Sequence, residues 1–94
     1  MTSVSELMGK KVIGASAFTV GEVEGAELDT KNWQITHLQV KLTSEATEQL
    51  GFKKPMLGHA VALLPVTLVK AVGDIVSLDK SIQELKSVIE LKKD

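Results

Sequence analysis

Ninety-four residues make one domain and leave no room for a catalytic domain beside a regulatory one. At 44% apolar and 24% charged the chain is composed like a globular protein, and a net charge of −1 without any arginine argues against a role dominated by nucleic acid, leaving room only for a small lysine patch. The absence of cysteine excludes disulfides, thiol nucleophiles and thiolate metal sites, which fits a reducing cytoplasm.

The first residues, Met1-Thr2-Ser3-Val4-Ser5-Glu6, lack the basic end and apolar run of a signal peptide. Lys10-Lys11-Val12-Ile13-Gly14 reads as a short strand after a turn at Met8-Gly9. Residues 18–28 are β-like, but their alternation slips. Val20 is in one phase, Val23 in the other, and Ala26 and Leu28 return to the first. Gly21 and Gly25 flank the slips, which predicts one continuous, bent strand. Asp29-Thr30-Lys31-Asn32 is a turn by composition. In residues 34–42, Thr36, Leu38, Val40 and Leu42 share one face, and His37, Gln39 and Lys41 the other. Two such strands across a short polar turn predict an antiparallel hairpin.

Residues 44–50 are helix-prone, with Thr43 or Ser44 as N-cap and Gly51 as stop. Residues 52–58 form a loop punctuated by Pro55 and Gly58. Residues 60–64 are apolar throughout, as in a strand buried on both faces. The apolar stretch 60–69 is broken by Pro65 and too short to span a bilayer, so membrane association is expected only through a partner. Residues 66–69 suit a single turn, and residues 71–78 a last hairpin through Gly73-Asp74. Ser81-Ile82-Gln83-Glu84 has capping-box spacing. Ile82, Leu85, Val88, Ile89 and Leu91 then fall on one helical stripe, with Lys92 and Lys93 at its C-terminal end. The expected division is a β domain over residues 1–80 and an amphipathic helical tail over 81–94.

The order of these pieces carries a resemblance. Gly9-Lys10-Lys11-Val12 precedes Val20-Gly21-Glu22-Val23, and the hairpin strand Ile35-Thr36-His37-Leu38-Gln39-Val40 follows. Then come Leu64-Pro65, Val69, and Gly73-Asp74-Ile75-Val76-Ser77-Leu78. Over roughly residues 6 to 80 this resembles the PRC-barrel family, named for a domain of the photosynthetic reaction centre H subunit. The chain is similar to stand-alone archaeal members of the cell division protein B group. The resemblance implies a mainly β fold: a small, strongly bent antiparallel barrel, here with an inserted helix and a C-terminal helix. It also implies a cytoplasmic adaptor at the division site, binding a SepF-type membrane anchor, a second copy of itself, or another PRC-barrel protein. PRC-like barrels also occur in ribosome maturation factors. A ribosome-maturation or RNA-processing accessory acting through protein binding is therefore the alternative. The helical segment 44–50 with loop 52–58, and Trp33 in a turn, depart from the family pattern.

Chemistry-bearing groups are sparse. His37 lies on the polar face of a strand and His59 at a strand entrance; a zinc site needs both plus two carboxylates. Ser16 lacks the second glycine of a nucleophile elbow, and residues 21–25 lack the spacing of a dinucleotide loop. Glu22, Glu24, Glu27 and Asp29 form an acidic run best read as a charged, solvated strand. The expectation is a non-enzymatic protein with no catalytic residue, metal or cofactor, and no direct contact with nucleic acid.

The candidate interface residues are apolar. Trp33 is either a lid on one end of the barrel or an anchor in an interface. Phe52, Met56 and Leu57 raise the same alternative. Ile82, Leu85, Val88 and Ile89 must be covered, because so short a helix is marginal alone in water. They dock on their own barrel, on a second copy or on a partner, and a barrel already filled by its strands favours the last two.

Overall fold

The structure, a computed structural model, describes residues 1–92. Helix α1 (Val4–Leu7) leads into strands β1 (Lys11–Ile13), β2 (Thr19–Asp29) and β3 (Gln34–Leu42), then helix α2 (Ser44–Gln49). Strands β4 (Val61–Pro65), β5 (Val69–Val72) and β6 (Val76–Leu78) follow, then helix α3 (Ile82–Leu85) and strand β7 (Glu90–Leu91). The seven strands form one sheet in the order β5-β6-β1-β2-β3-β4-β7.

The slip at Gly25 is a real bulge, where the register against β3 shifts between Val23 and Gly25, and the slip at Gly21 meets a register shift against β1. A further shift against β3, between Glu27 and Leu28, falls where the alternation reads as regular; the strand bends without breaking. On β3 the expected faces separate: Leu38, Val40 and Leu42 are buried, while His37, Gln39 and Lys41 are half-buried. Past Val23 on one side and before His37 on the other, neither β1 nor β4 pairs with this hairpin. It projects as a two-stranded arm.

The expected closed antiparallel barrel is instead an open sheet with one parallel pair, β1 with β6. β5 and β3 lie four places apart in the sheet, yet Val69 and Val72 share a groove with Ile35 and Leu38. The sheet therefore curls until its β5 edge faces β3, where it remains open.

Two sequence expectations are corrected at the far edge. Residues 61–65 alternate, with Ala62 and Leu64 fully buried and Val61, Leu63 and Pro65 half-buried, so β4 has one core face and not two. The C-terminal helix stops after a single turn, Ile82–Leu85. Glu90 and Leu91 are extended and pair with Leu63 and Ala62, and the Lys92 amide donates to the Val61 carbonyl at 2.7 Å. The reason is backbone hydrogen bonding: a short helix gains little in water, whereas the outer edge of β4 offers ready partners. Lys93, placed by its sequence at the helix end, lies outside the described residues.

The core gathers Val12, Val20, Val23, Leu38, Val40, Leu42, Leu64, Val76 and Leu78 from the sheet. Ala46 and Leu50 from the α2 region close one side, with Ile82, Leu85 and Ile89. α2 starts where the Ala46 amide donates to the Thr43 hydroxyl. Thr47, the buried polar residue there, donates its hydroxyl to the Thr43 carbonyl at 2.8 Å.

α3 begins with the predicted capping box: the Ser81 amide donates to Glu84 Oε1 at 3.0 Å, and the Glu84 amide to Ser81 Oγ at 3.3 Å. The hydrogen bond from the Ser81 amide, then that from its hydroxyl, then nearby Lys80 hold the Glu84 carboxyl below the usual glutamate range. A depressed carboxyl adds stability that is complete above its unfolded pKa and is lost as pH falls through its folded pKa. An NMR titration is expected to show Glu84 protonating at lower pH than free glutamate, and Ser81→Ala to reduce the difference without abolishing it, because the Ser81 amide and Lys80 remain.

Candidate interaction surfaces

The polar residues singled out in the sequence are spread apart by the sheet. Glu22 lies directly between Lys11 on β1 and Lys41 on β3, so its charge faces cations on both sides. Glu27 accepts a hydrogen bond from the Gln39 side chain. Asp29 organises the arm's tip, accepting from the Lys31 amide at 2.9 Å and from Asn32 Nδ2 at 3.1 Å. His37 Nδ1 is 2.9 Å from the Thr36 hydroxyl, while His59 is exposed on the loop before β4. Among the described residues, no three His, Cys, Asp or Glu side chains are grouped to hold a metal ion.

The apolar candidates fall into three places. Ile82, Leu85 and Ile89 are in the chain's own core, 5%, 0% and 5% exposed, leaving Val88 as the exposed member of the expected stripe. Phe52 is half-buried and packs on the core. Met56 and Leu57 stand fully in solvent at the tip of the loop between α2 and β4. Trp33 is 74% exposed at the tip of the arm, so it is no lid. Its backbone φ is 55°, a left-handed conformation costly for a bulky side chain.

The surface that sequence reading missed is the open seam. A groove of about 360 Å³ is lined by Leu7, Ile35, Leu38, Val66, Val69 and Val72, all aliphatic. Ile35 on the arm and Leu38 further along β3 form one wall, and Leu28, directly opposite Ile35, is exposed beside them. Val69 and Val72 belong to β5, whose outer edge pairs with no strand among the described residues. The signal was present in the spacing Val66, Val69, Val72, which repeats every third residue while Thr67 and Lys70 fall between. α1 was also legible, since Ser3 and Glu6 form a capping box that sets Leu7 against the groove. No protein-family model matches this chain, and a search of the curated proteins finds no match.

An aliphatic groove beside an open sheet edge offers two kinds of recognition together. Backbone N–H and C=O groups on the edge accept an added strand, and the groove accepts its alternate side chains. All six side chains that line the groove are aliphatic and uncharged.

Proposed function

We propose that this chain is a non-enzymatic adaptor that binds an extended apolar segment of a partner protein in the seam between β5 and the β2–β3 arm. The observation that carries the reading is the groove of six aliphatic side chains against the unpaired β5 edge. An added strand there would cover Val72 and begin to bridge the gap that separates this curled sheet from a closed barrel. Trp33 serves as the second contact: its strained backbone holds a large aromatic side chain in solvent at the arm's tip.

The ordered motifs from Lys10 to Leu78 support a PRC-barrel relationship, and with it a cytoplasmic role in archaeal cell division. The partner on this reading is a SepF-type division protein, another PRC-barrel protein, or a second copy of the chain. Trp33 is the sole tryptophan, so its emission reports docking directly. Mixing with a purified SepF-type protein is expected to shift that emission to the blue and to give a co-migrating complex. Val72→Glu, on the exposed edge, is expected to abolish both while leaving the melting temperature within a few degrees of the parent, as for surface changes generally. Capture from archaeal cells that yields no division protein, or equal capture by Val72→Glu, rejects the reading.

A further inference from the structure

The loop between α2 and β4 lies at the other end of the molecule from the groove. β3 runs from Gln34 beside the arm's tip to Leu42, where α2 and the loop begin, so the two features sit at opposite ends of that strand. At the loop's tip Met56 is 100% and Leu57 90% exposed, between Pro55 and a left-handed Gly58 at φ 77°. Two adjacent aliphatic side chains wholly in water are a standing cost with no return inside the fold.

The charge around them has one sign in sequence. No acidic residue occurs between Glu48 and Asp74, while Lys53 and Lys54 immediately precede the tip. Lys53 and Lys92 line one shallow hollow with Pro55 and His59, and the Lys86 side chain lies over Gly51 at the end of α2. The acids nearby are Glu24, in the same hollow, and Glu48, 3.1 Å from Lys54. That ion pair is exposed on both sides, 51% and 71%, so an anionic surface can exchange it at small cost. Lys53, Lys54 and Lys92 flank the base of the aliphatic tip, with Glu24 and Glu48 beside them and Glu22 on the far side of His59.

We propose that this loop docks the protein directly on an anionic membrane surface, Met56 and Leu57 entering the headgroup–acyl boundary while Lys53, Lys54 and Lys92 meet lipid headgroups. The tip is aliphatic with no aromatic anchor, and leucine is under-represented among protein hot spots. A fluid lipid layer needs no matching shape, and lysine stems lie along apolar surface with their ammonium groups at headgroup level. With the groove at one end and this loop at the other, the molecule can hold a protein segment and a membrane at once.

Co-sedimentation with phosphatidylglycerol-rich vesicles and with pure phosphatidylcholine vesicles tests this. Binding to the anionic vesicles is expected to be stronger by about tenfold or more and to fall as salt is added, since each juxtamembrane lysine contributes. The double variant Met56→Ser, Leu57→Ser is expected to lose most of that binding while melting like the parent, because neither side chain touches the core. Lys53→Gln with Lys54→Gln is expected to remove the preference for anionic lipid. The seam variant Val72→Glu is expected to bind vesicles as the parent does, which separates this result from the fate of the groove. No binding to anionic vesicles overturns the proposal. Equal binding by the serine double variant also does, because it shows charge adsorption without insertion. So does loss of a protein partner through those serines with vesicle binding absent throughout.

Discussion

A chain ending at Lys80 is expected not to fold. Its sequence suggests a detachable tail, but Ile82, Leu85 and Ile89 are 5%, 0% and 5% exposed within the one core. Each such side chain contributes roughly 1.5–3 kcal/mol when buried, so the three together supply about 5–9 kcal/mol. A domain of this length has a total stability of about 5–14 kcal/mol at typical per-residue values. Deletion also strips the β7 pairing from Ala62 and Leu63 and the amide of Lys92 from the Val61 carbonyl. Far-ultraviolet circular dichroism with thermal melting checks the expectation: the shortened chain should show no cooperative transition. Val88→Ala is the contrasting change, because Val88 is 41% exposed, and it should alter stability by less than about 0.5 kcal/mol. A cooperative melt from the shortened chain means that residues 82–91 are an appendage.

The second large effect sits in β2. A Cβ added at Gly21 stands 2.1 Å from the Lys41 carbonyl oxygen, and 2.9 Å from both the Lys41 carbonyl carbon and Val40 Cγ1. Two of those atoms are backbone of strand β3, and neither can move without disturbing the register Gly21↔Leu42 and Glu22↔Lys41. Gly21→Ala is therefore expected to cost at least about 3 kcal/mol, at the severe end of overpacking. Gly25 sits at the register shift against β3, yet its added Cβ meets only the Gln39 side chain, nearest at Oε1, 2.5 Å away. That amide is the end of a flexible side chain and can rotate away, so Gly25→Ala should cost under about 1 kcal/mol. Urea melts of the two variants decide the matter; similar midpoints would show that the strands separate freely at Gly21.

These two glycines illustrate how far the residues alone carry the fold. Both flank a slip in alternation, and each sits at a register shift of one bent strand, Gly25 against β3 and Gly21 against β1. Which glycine bears backbone against its α-carbon depended on how closely β3 packs, and no local pattern encodes that distance. The same holds at the surface. Trp33, Met56 and Leu57 were singled out by residue type and position in turns, and they are exposed in the structure. Ile82, Leu85 and Ile89 were singled out by periodicity, which identifies an apolar face but is blind to what covers it.

The adaptor reading rests on the seam, and the seam combines residues far apart in the chain: Leu7 from α1, Ile35 and Leu38 from β3, and Val66 to Val72 around β5. The membrane reading, by contrast, lies mostly within one segment, 53–58, and its lysines and aliphatic tip were visible in order.

The open edge and the short terminal helix mark where local and non-local physics part. Period-two alternation, capping residues and turn chemistry act within a few residues, so the strands, the hairpin, α2 and the Ser81–Glu84 cap were determined by the sequence itself. Sheet order, the parallel pairing of β1 with β6, the open β5 edge and the turn of residues 90–91 into a strand depend on backbone partners distant in sequence. Only the tertiary structure decided those, because hydrogen bonding and burial reward a segment for the neighbour it finds, not for its own pattern.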